Sequence, residues 1–307
     1  MPHALVTGGA GFIGSNLVHL LLRHGHTLTV LDNLSSGYRA NLLSDARFVE
    51  GDVRDEGALD AAVTGANVVF HLAASVGNKR SIDNPIDDAE VNVLGTLKLL
   101  EACRRHDVRK LVFSSSAGIF GELKVLPIRE DHPAEPDSPY GASKLAAEKL
   151  CLAYAKLHRM ECTCLRYFNV YGPNQRYDAY GNVIPIFVRA VLSGQPIVIF
   201  GDGEQTRDFV NVRDVAEANY RAGMTPGVWG AFNIASGTRI SINDLATRVC
   251  QAAGVARTVQ YAEPRPGDVR HSLADIGAAR AAFGYEPRVT LEEGLPEYVG
   301  WARAQSG

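Results

Sequence analysis

A tyrosine and a lysine four residues apart, Tyr140 and Lys144, are the side chains of this sequence best suited to acid–base chemistry. Residues at positions i and i+4 share one helical face. The ammonium group of Lys144 would favour the phenolate of Tyr140 and lower its pKa from about 10 toward neutrality. Such a tyrosine can act as a general base on a substrate hydroxyl while hydride leaves the carbon that bears it. A serine from the stretch Phe113–Gly121 could hold that hydroxyl or relay its proton.

A glycine-rich turn after the first apolar run is suited to the cofactor that would accept such a hydride. Gly8, Gly11 and Gly14 follow the apolar run Ala4–Val6 and open a helical pattern, with the spacing GxxGxxG rather than GxGxxG. The glycines permit a tight turn, close approach of the backbone to a pyrophosphate, and close packing of helix on sheet. The helix N-terminus would offer free N–H groups to the phosphates. The alternative is a glycine-rich turn that binds no ligand.

The carboxylate that ends the second apolar run indicates which dinucleotide binds. Asp32 is placed to accept hydrogen bonds from the ribose hydroxyls of adenosine, and it would repel a 2′-phosphate. The four residues that follow it carry no cation, although Arg39 is close enough to keep NADP open. NAD is therefore the expected cofactor. Asp52 could accept from the adenine amino group, and the segment His71–Ala74 could line the cofactor with small side chains.

The elements that would position these residues alternate between strands and helices. The predicted strands are 4–6, 27–31, 48–50, 68–71, 111–114 and 163–167, and the helical patterns between them cover 16–23, 86–106 and 140–158. Strands that alternate with helices require crossover connections, so the prediction is an α/β, doubly wound parallel sheet of the Rossmann type.

A second, smaller part follows Gly172, where the pattern loosens into turns rich in proline and glycine. Short strands are predicted at 197–200, 209–211 and 231–234, with helices near 213–222, 241–252 and 291–303. We expect residues 1–170 to form the NAD-binding domain and residues 171–307 to form mainly a substrate-binding domain. The chain is expected to return to the first domain around 209–234.

Composition and charge exclude several other classes. The chain of 307 residues is 46% hydrophobic and 21% charged, as in an ordinary soluble globular protein. A net charge of −3 without a basic run gives no support for nucleic acid or an anionic membrane as partner. No signal peptide or membrane span is recognisable, so a cytoplasmic protein is expected. The five cysteines lack the spacing of a disulfide framework, so we expect them to be small core residues. No metal site is predicted.

These strings together resemble the NAD-dependent epimerase/dehydratase family of extended short-chain dehydrogenases, over nearly the whole chain. In that family GxxGxxG is the usual cofactor turn. The matching strings are Thr7–Gly14, Asp32–Leu34, Gly51–Asp55, His71–Ala74, Asn92–Thr96, Ser114–Gly121, Ser138–Lys144, Arg166–Pro173, Arg207–Phe209 and Arg265–Asp268.

The resemblance implies a role for individual residues. Tyr140 would be the base, Lys144 its activator and a ligand of the nicotinamide ribose, and Ser116 the partner of the substrate hydroxyl. The implied NAD contacts are Gly8, Gly11, Phe12, Ile13, Gly14, Asp32, Asn33, Ser35, Gly37, Asp52, Val53, Leu72, Ala73, Ala74, Asn92, Ser114, Tyr140, Lys144, Tyr167 and Val170. The implied nucleotide-sugar contacts are Ser75, Val76, Gly77, Ser116, Ala117, Gly118, Tyr140, Asn169, Arg176, Val183, Ile184, Ile199, Phe200, Gln205, Arg207, Arg265 and Asp268.

Within the substrate set, Asn169, Arg207 and Arg265 would bind the diphosphate, because a guanidinium offers a planar fork of donors. Phe200 would lie against the uracil and Asp268 near its ribose.

The reaction is narrowed by the residues beside Ser116. Dehydratases and decarboxylases of the family carry an acid there, whereas this chain has Ala117 and Gly118. The expected reaction is therefore 4-epimerisation of a UDP-sugar. Arg176 suggests UDP-glucuronate, with UDP-glucose, UDP-N-acetylglucosamine, a 4,6-dehydratase and a non-catalytic NAD-binding regulator as alternatives. The helical stretches 86–106 and 140–158 match the family's dimer interface, so a homodimer is expected.

Overall fold

A parallel sheet of seven strands forms the centre of the computed structural model, which describes residues 2–177, 181–264 and 269–305. In chain order its first six strands are β1 (His3–Thr7), β2 (Thr27–Asp32), β3 (Ala46–Glu50), β4 (Val68–His71), β5 (Lys110–Ser116) and β6 (Glu161–Tyr167). In space the order is β3-β2-β1-β4-β5-β6, and Gly230–Ile234 adds the seventh strand beside β6. The chain adds strands on one side of β1 as far as β3 and on the other side from β4 onward, which is the doubly wound topology predicted from the sequence.

Helices cover both faces of the sheet, as parallel strands require. In the first part they are α1 (Phe12–Arg23), α2 (Glu56–Val63), α3 (Asn78–Asp83), α4 (Pro85–Ala89), α5 (Thr96–Arg105) and α6 (Pro139–His158). The single helix predicted over 86–106 is interrupted, because a π-helical segment, Glu90–Gly95, joins α4 to α5. Periodicity could not reveal this segment, which widens the helix beside the candidate site.

The second part of the chain forms short paired strands and a helical layer. Its strands are β7 (Asn169–Tyr171), β8 (Ile197–Phe200), β9 (Thr206–Arg207), β10 (Phe209–Asn211), β11 (Gly230–Ile234), β12 (Ile240–Ser241) and β13 (Val259–Ala262). Its helices are α7 (Val183–Leu192), α8 (Val212–Met224), α9 (Ile242–Ala253), α10 (Gly277–Phe283) and α11 (Leu291–Gln305). The pairs β7–β10 and β8–β13 are parallel, and β9–β12 is antiparallel.

Three apolar clusters hold these layers together. One lies between the sheet and helices α1 and α8, a second lies under α2, α5 and α6, and a third joins α7, α9 and α11. Since α8 and β11 belong to the sheet layers, the chain re-enters the first part after residue 211. The domain boundary near residue 170 stays a prediction.

All five cysteines are buried and unpaired. Cys162 and Cys164 project from the same face of β6 into the second cluster, together with Cys103 and Cys151, while Cys250 belongs to the third cluster. His24 ends α1 and stacks on Tyr220, with ring centroids 4.2 Å apart. Within the described ranges no helix is long and apolar enough to cross a membrane.

Candidate active site

A cavity of about 860 Å³ opens at the carboxyl edge of the sheet, where parallel strands of this topology present their ligand sites. Its walls come from the segments that follow β1 to β6, and the loop after β7 together with Arg207 closes the other side. Most of the predicted site residues therefore meet in one place. The residues in its lining include Gly8, Gly11, Phe12, Ile13, Gly14, Asp32, Asn33, Ser35, Asp52, Val53, Leu72, Ala73, Ala74, Ser75, Val76, Gly77, Ser114, Ser116, Ala117, Gly118, Tyr140, Lys144, Tyr167, Asn169, Val170, Arg176 and Arg207.

The glycine turn is packed so closely that side chains are excluded at two positions. Gly8 has φ of +71°, and a Cβ there would lie 2.6 Å from the backbone nitrogen of Ala73. A Cβ at Gly14 would lie 2.1 Å from the carbonyl oxygen of Gly8. Gly11 is the N-cap of α1 and has no side chain to cap it, so the first N–H groups of the helix face the cavity. This arrangement fits a pyrophosphate.

Asp32 is held by the backbone around it. Its two carboxylate oxygens accept from the N–H groups of Ala10 at 2.9 Å and Leu34 at 2.8 Å. Burial raises the pKa of Asp32, and these two hydrogen bonds oppose the rise. Arg39, the residue that kept NADP open, pairs with Glu50 at 2.5 Å and lies over the ring of Phe48. Its cation is thus engaged elsewhere, which favours a free ribose 2′-hydroxyl and hence NAD.

Asp52 has a partner that the sequence argument did not include. Arg54 donates to both of its carboxylate oxygens at 2.9 Å, and Asn33 adds a hydrogen bond at 2.8 Å. The Arg54 hydrogen bond is the main reason why the pKa of Asp52 falls to about 2. An adenine amino group would have to share this carboxylate with Arg54. The arginine was visible in the matching string at 51–55, but its contact with Asp52 was not.

A buried histidine connects the glycine turn to the π-helical segment. Nδ1 of His71 lies 2.7 Å from the hydroxyl oxygen of Thr7, and Nε2 lies 3.0 Å from that of Thr96. The Thr96 hydroxyl donates to the carbonyl of Asn92 at 2.6 Å, so it accepts from Nε2–H of His71. Nδ1 then accepts from the Thr7 hydroxyl. Burial lowers the pKa of His71 to about 3, which keeps the ring neutral. The histidine thereby joins β1, β4 and the helix above them behind the cofactor cradle.

The predicted catalytic side chains meet where β5 ends and α6 begins. Ser138 caps α6, and Pro139 occupies its first turn. The hydroxyl of Ser116 forms a hydrogen bond with the hydroxyl of Tyr140. Lys144 is buried one turn further along α6, with Nζ 4.5 Å from the centroid of the Phe113 ring. The predicted arrangement of serine, tyrosine and lysine is therefore present.

The pKa values of this pair differ from the expectation. Tyr140 is partly exposed to the cavity, yet desolvation by the surrounding protein raises the pKa of its hydroxyl, and the Ser116 hydrogen bond only opposes this rise. Burial lowers the pKa of Lys144 to about 8. The lowering of the Tyr140 pKa that was expected from Lys144 is thus outweighed by burial, because both groups lose solvent.

Several predicted contact residues lie outside the cavity lining. Asn92 binds the backbone of Ser75 instead, accepting from its N–H at 2.9 Å and donating to its carbonyl at 3.0 Å. Gly37 lies behind Asp32, where a Cβ would be 3.0 Å from a carboxylate oxygen. Ile184 and Ile199 are packed in the third apolar cluster, with Val183 against it. Gln205 is buried and donates to the carbonyl of Phe200, and neither residue lines the cavity.

The three cations and the amide assigned to the diphosphate and the sugar have different positions. Arg207 lines the cavity and donates to the carbonyl of Thr206 at 2.9 Å. Asn169 also lines it, with its amide bound to the carbonyl of Asp208 at 3.0 Å. The Arg176 guanidinium lies over the ring of Tyr38, 3.6 Å from its centroid. Arg265 and Asp268 lie outside the described residues.

Sequence reasoning missed a layer of polar residues behind the cavity. Ser81 accepts from the backbone N–H of Tyr140 at 3.0 Å, and Ser143 donates to the carboxylate of Asp88 at 2.5 Å. Asp88 also accepts from the amide of Asn92 at 3.1 Å. The only available signal was a polar residue inside an otherwise apolar helical pattern, which does not distinguish a buried network from a solvated face.

Comparisons with known proteins agree with this geometry. The family model described as NAD dependent epimerase/dehydratase family matches residues 4–235. A UDP-glucose 4-epimerase from Mycolicibacterium smegmatis is 42% identical, over 98% of this chain and 99% of that protein. A UDP-glucuronate 4-epimerase from Thermodesulfobacterium geofontis is 34% identical, over 99% and 97%. The crystal structure of UDP-glucose 4-epimerase from Thermotoga maritima with UDP-glucose superposes with a TM-score of 0.94, at 39% identity over 99% of this chain and all of that one.

Proposed function

Because the chain belongs to the NAD-dependent epimerase/dehydratase family and is an NAD-dependent nucleotide-sugar epimerase, we propose that it interconverts UDP-glucose and UDP-galactose. The observation that carries the reaction type is the group of Ser116, Tyr140 and Lys144 at the cavity, with Ala117 and Gly118 beside the serine. An elimination needs an acid at that place to help water leave. A site without one there supports return of the hydride to the opposite face of the sugar.

The side chains divide the proton transfer among them. Tyr140 accepts the proton of the sugar O4 hydroxyl, and Ser116 holds the same oxygen through its hydroxyl. Lys144 places a buried positive charge near the phenolate that forms. The glycine turn and Asp32 would hold NAD, which would supply the acceptor for the C4 hydride and its source on return, so no net cofactor would be consumed. The ketone then turns over in the cavity before Tyr140 gives the proton back.

The choice of sugar depends on Arg176. A uronate would bring a carboxylate into a partly desolvated cavity, where it needs a charged partner. The guanidinium of Arg176 is stacked on Tyr38, in the loop after β2 that lies beside Asp32, the predicted adenosine ligand. This contact supports a neutral hexose. UDP-glucuronate remains the second candidate, because Arg176 also lines the cavity and a UDP-glucuronate 4-epimerase is among the relatives.

The test is direct. The purified protein is incubated separately with UDP-glucose, UDP-galactose, UDP-glucuronate and UDP-N-acetylglucosamine, without added NAD, and the anomeric protons are followed by NMR. We expect interconversion of UDP-glucose and UDP-galactose. Turnover of UDP-glucuronate alone would replace the neutral sugar by the uronate. A 4-keto-6-deoxy product would show a dehydratase, and absence of all turnover, even with added NAD, would leave only NAD binding.

A homodimer is the proposed assembly. Large apolar side chains are exposed on the helices that cover one face of the sheet: Ile82 on α3, Ile86 on α4, Leu94 on the π-helical segment and Leu157 on α6. Exposed apolar side chains gathered on neighbouring helices favour association with a second protein surface. A second copy of the chain offers the same helices in a self-complementary arrangement.

A further inference from the structure

Asp88 is a buried carboxylate that the proton transfer described above does not use. It lies on α4, is 1% exposed, and accepts the hydroxyl of Ser143 at 2.5 Å and the amide of Asn92 at 3.1 Å on different oxygens. Acceptance at both oxygens is the pattern of an ionised carboxylate. Burial of such a charge is costly unless hydrogen bonds and an opposite charge compensate for it. Asp88 therefore needs a reason to be there.

The two neutral partners of Asp88 both lead to the active site. The amide of Asn92 binds the N–H and the carbonyl of Ser75, in the segment that lines the cavity after β4. Ser143 lies on α6 between Tyr140 and Lys144, and its hydroxyl also reaches the carbonyl of Tyr140 at 3.0 Å. Through these two partners, the Asp88 carboxylate fixes the segment after β4 relative to the first turns of α6.

The charge of Asp88 acts on Lys144, and among the described residues no cation forms an ion pair with Asp88. Glu148, the other buried carboxylate near Lys144, is bound by Arg166 at 2.7 and 3.0 Å, so its charge is balanced within that pair. Asp88 is held by a hydroxyl and an amide, which leave its charge unbalanced. The titratable groups that face Lys144 are Tyr140, Glu148 and Cys151 on α6, Asp88 on α4, His71 on β4 and Cys164 on β6.

We propose that Asp88 is a positioning residue for the epimerisation, which holds Asn92 and Ser143 in place and supplies the negative charge that faces the Lys144 ammonium. The inference rests on the proposed function. Burial alone lowers the pKa of Lys144, and the carboxylate of Asp88 opposes that fall. Without Asp88 the lysine would lose its proton at lower pH, and the base would lose its cationic neighbour.

The experiment is the pH profile of kcat/KM for wild type and Asp88→Asn. A negative charge favours the protonated form of every group near it, and Asp88 raises the pKa of both Tyr140 and Lys144. Its removal should therefore move both limbs of the profile to lower pH, by about one unit for a charge at this range. At the midpoint of the original alkaline limb, where the wild type is half active, activity should fall roughly fivefold. KM for the UDP-sugar should change little, because Asp88 is buried and does not line the cavity.

Controls separate charge from packing. Asp83→Asn removes an exposed carboxylate on α3, paired with Lys79 at 2.8 Å, and should leave the profile in place. Ser143→Ala keeps the Asp88 charge but removes its shortest hydrogen bond, so kcat should fall while the limbs stay. A folded Asp88→Asn enzyme with the wild-type profile overturns the proposal. If Asp88→Asn fails to fold by circular dichroism, unchanged kcat in Ser143→Ala overturns it. A wild type that converts no UDP-sugar refutes the proposed function instead.

Discussion

At the scale of single residues, the site depends on groups whose pKa values are moved by burial. Desolvation raises the pKa of Tyr140, which favours its neutral form, and lowers that of Lys144 to about 8, where the ammonium still predominates at neutral pH. The Ser116 hydrogen bond opposes the rise at Tyr140, whereas the charge of Asp88 adds to that rise and supports the ammonium form of Lys144. Catalysis by this pair is then a property of its surroundings as much as of the two side chains.

Removal of the phenol group tests the base. Tyr140→Phe keeps the ring but has no proton acceptor, and general base catalysis contributes 10²–10⁴-fold, or about 3–5 kcal/mol of barrier. We expect turnover to fall by that factor while UDP-sugar binding, measured by calorimetry, is retained. Ser116→Ala should cost less, because water can partly replace its hydroxyl. A Tyr140→Phe enzyme with more than roughly a tenth of wild-type kcat would refute the assignment.

Arg176 provides the test of sugar choice. Our proposal places its cation on Tyr38, so Arg176→Ala and Tyr38→Ala should both change kcat/KM for UDP-glucose by less than about tenfold, the size of a cation–π contact. A uronate ligand would behave differently: a charge-assisted hydrogen bond is worth about 1.5–3 kcal/mol, which is roughly 10–200-fold. A loss of that size with UDP-glucuronate, seen in Arg176→Ala but not in Tyr38→Ala, would establish the uronate interpretation.

The residues of the site could be predicted to different extents. Tyr140, Lys144 and the glycines were predictable because their spacing alone restricts their geometry. Asn92 and Gly37 were assigned to the cofactor, and this assignment stays a prediction; in the structure Asn92 supports Ser75 and Gly37 packs against Asp32. Asp88 and Arg54 were not predictable, since their contacts join segments that are far apart in sequence. Hydrogen bonds between segments that are far apart in sequence produce no periodic pattern of residues from which they could be predicted.

At the scale of elements, boundaries followed the turn residues that flank each run. β4 was predicted with its exact limits, because Gly65 and Asn67 precede an unbroken β-branched and aromatic run. α7 was missed, and its residues Val183 and Ile184 were read as substrate contacts. The pattern after Gly172 was taken as turns rich in proline and glycine, yet Pro185 lies in the first turn of this helix, where its missing N–H has no partner to lose.

The buried His71, hydrogen-bonded to Thr7 and Thr96, predicts how the free energy of unfolding depends on pH in the acidic range. The folded-state pKa of His71 is lowered to about 3, against about 6.5 in an unfolded chain. Below pH 6.5 the unfolded state binds a proton that the native state does not. The free energy of unfolding should therefore fall as the pH drops from 6.5 toward 3, by up to about 1.4 kcal/mol per unit, and should not respond above 6.5.

Thermal melting across that range measures the effect. His71→Gln keeps polar atoms between the two threonines but cannot take up the proton. The variant should start from a lower Tm at pH 7 and then lose less than wild type on acidification. His158→Gln, on the exposed end of α6, is the matched control and should follow wild type. Parallel curves for wild type and His71→Gln would contradict the prediction.

At the scale of the whole molecule, the proposed dimer places an apolar helical face against its copy. Burial of a large aliphatic side chain is worth about 1.5–3 kcal/mol, and a charge there would reverse the sign. Ile86→Glu and Leu157→Glu should each weaken association by at least about tenfold in Kd. Val125→Glu changes an equally exposed residue outside those helices and should not. Light scattering after size exclusion gives the masses, and a wild-type monomer would refute the assembly.

The reactivity of the five buried thiols can report on local unfolding of the protein. A cysteine reagent needs an accessible thiolate, and burial raises the pKa of Cys103 to about 12, so the native fold should be nearly inert to alkylation. Cys103 on α5, Cys151 on α6, and Cys162 and Cys164 on β6 belong to the second apolar cluster, whereas Cys250 on α9 lies among the helices of the second part. Mass spectrometry of partly alkylated protein would show which part of the chain, the first or the second, unfolds locally first. The sequence thus already provides, without an added label, cysteine probes in both the first and the second part of the chain.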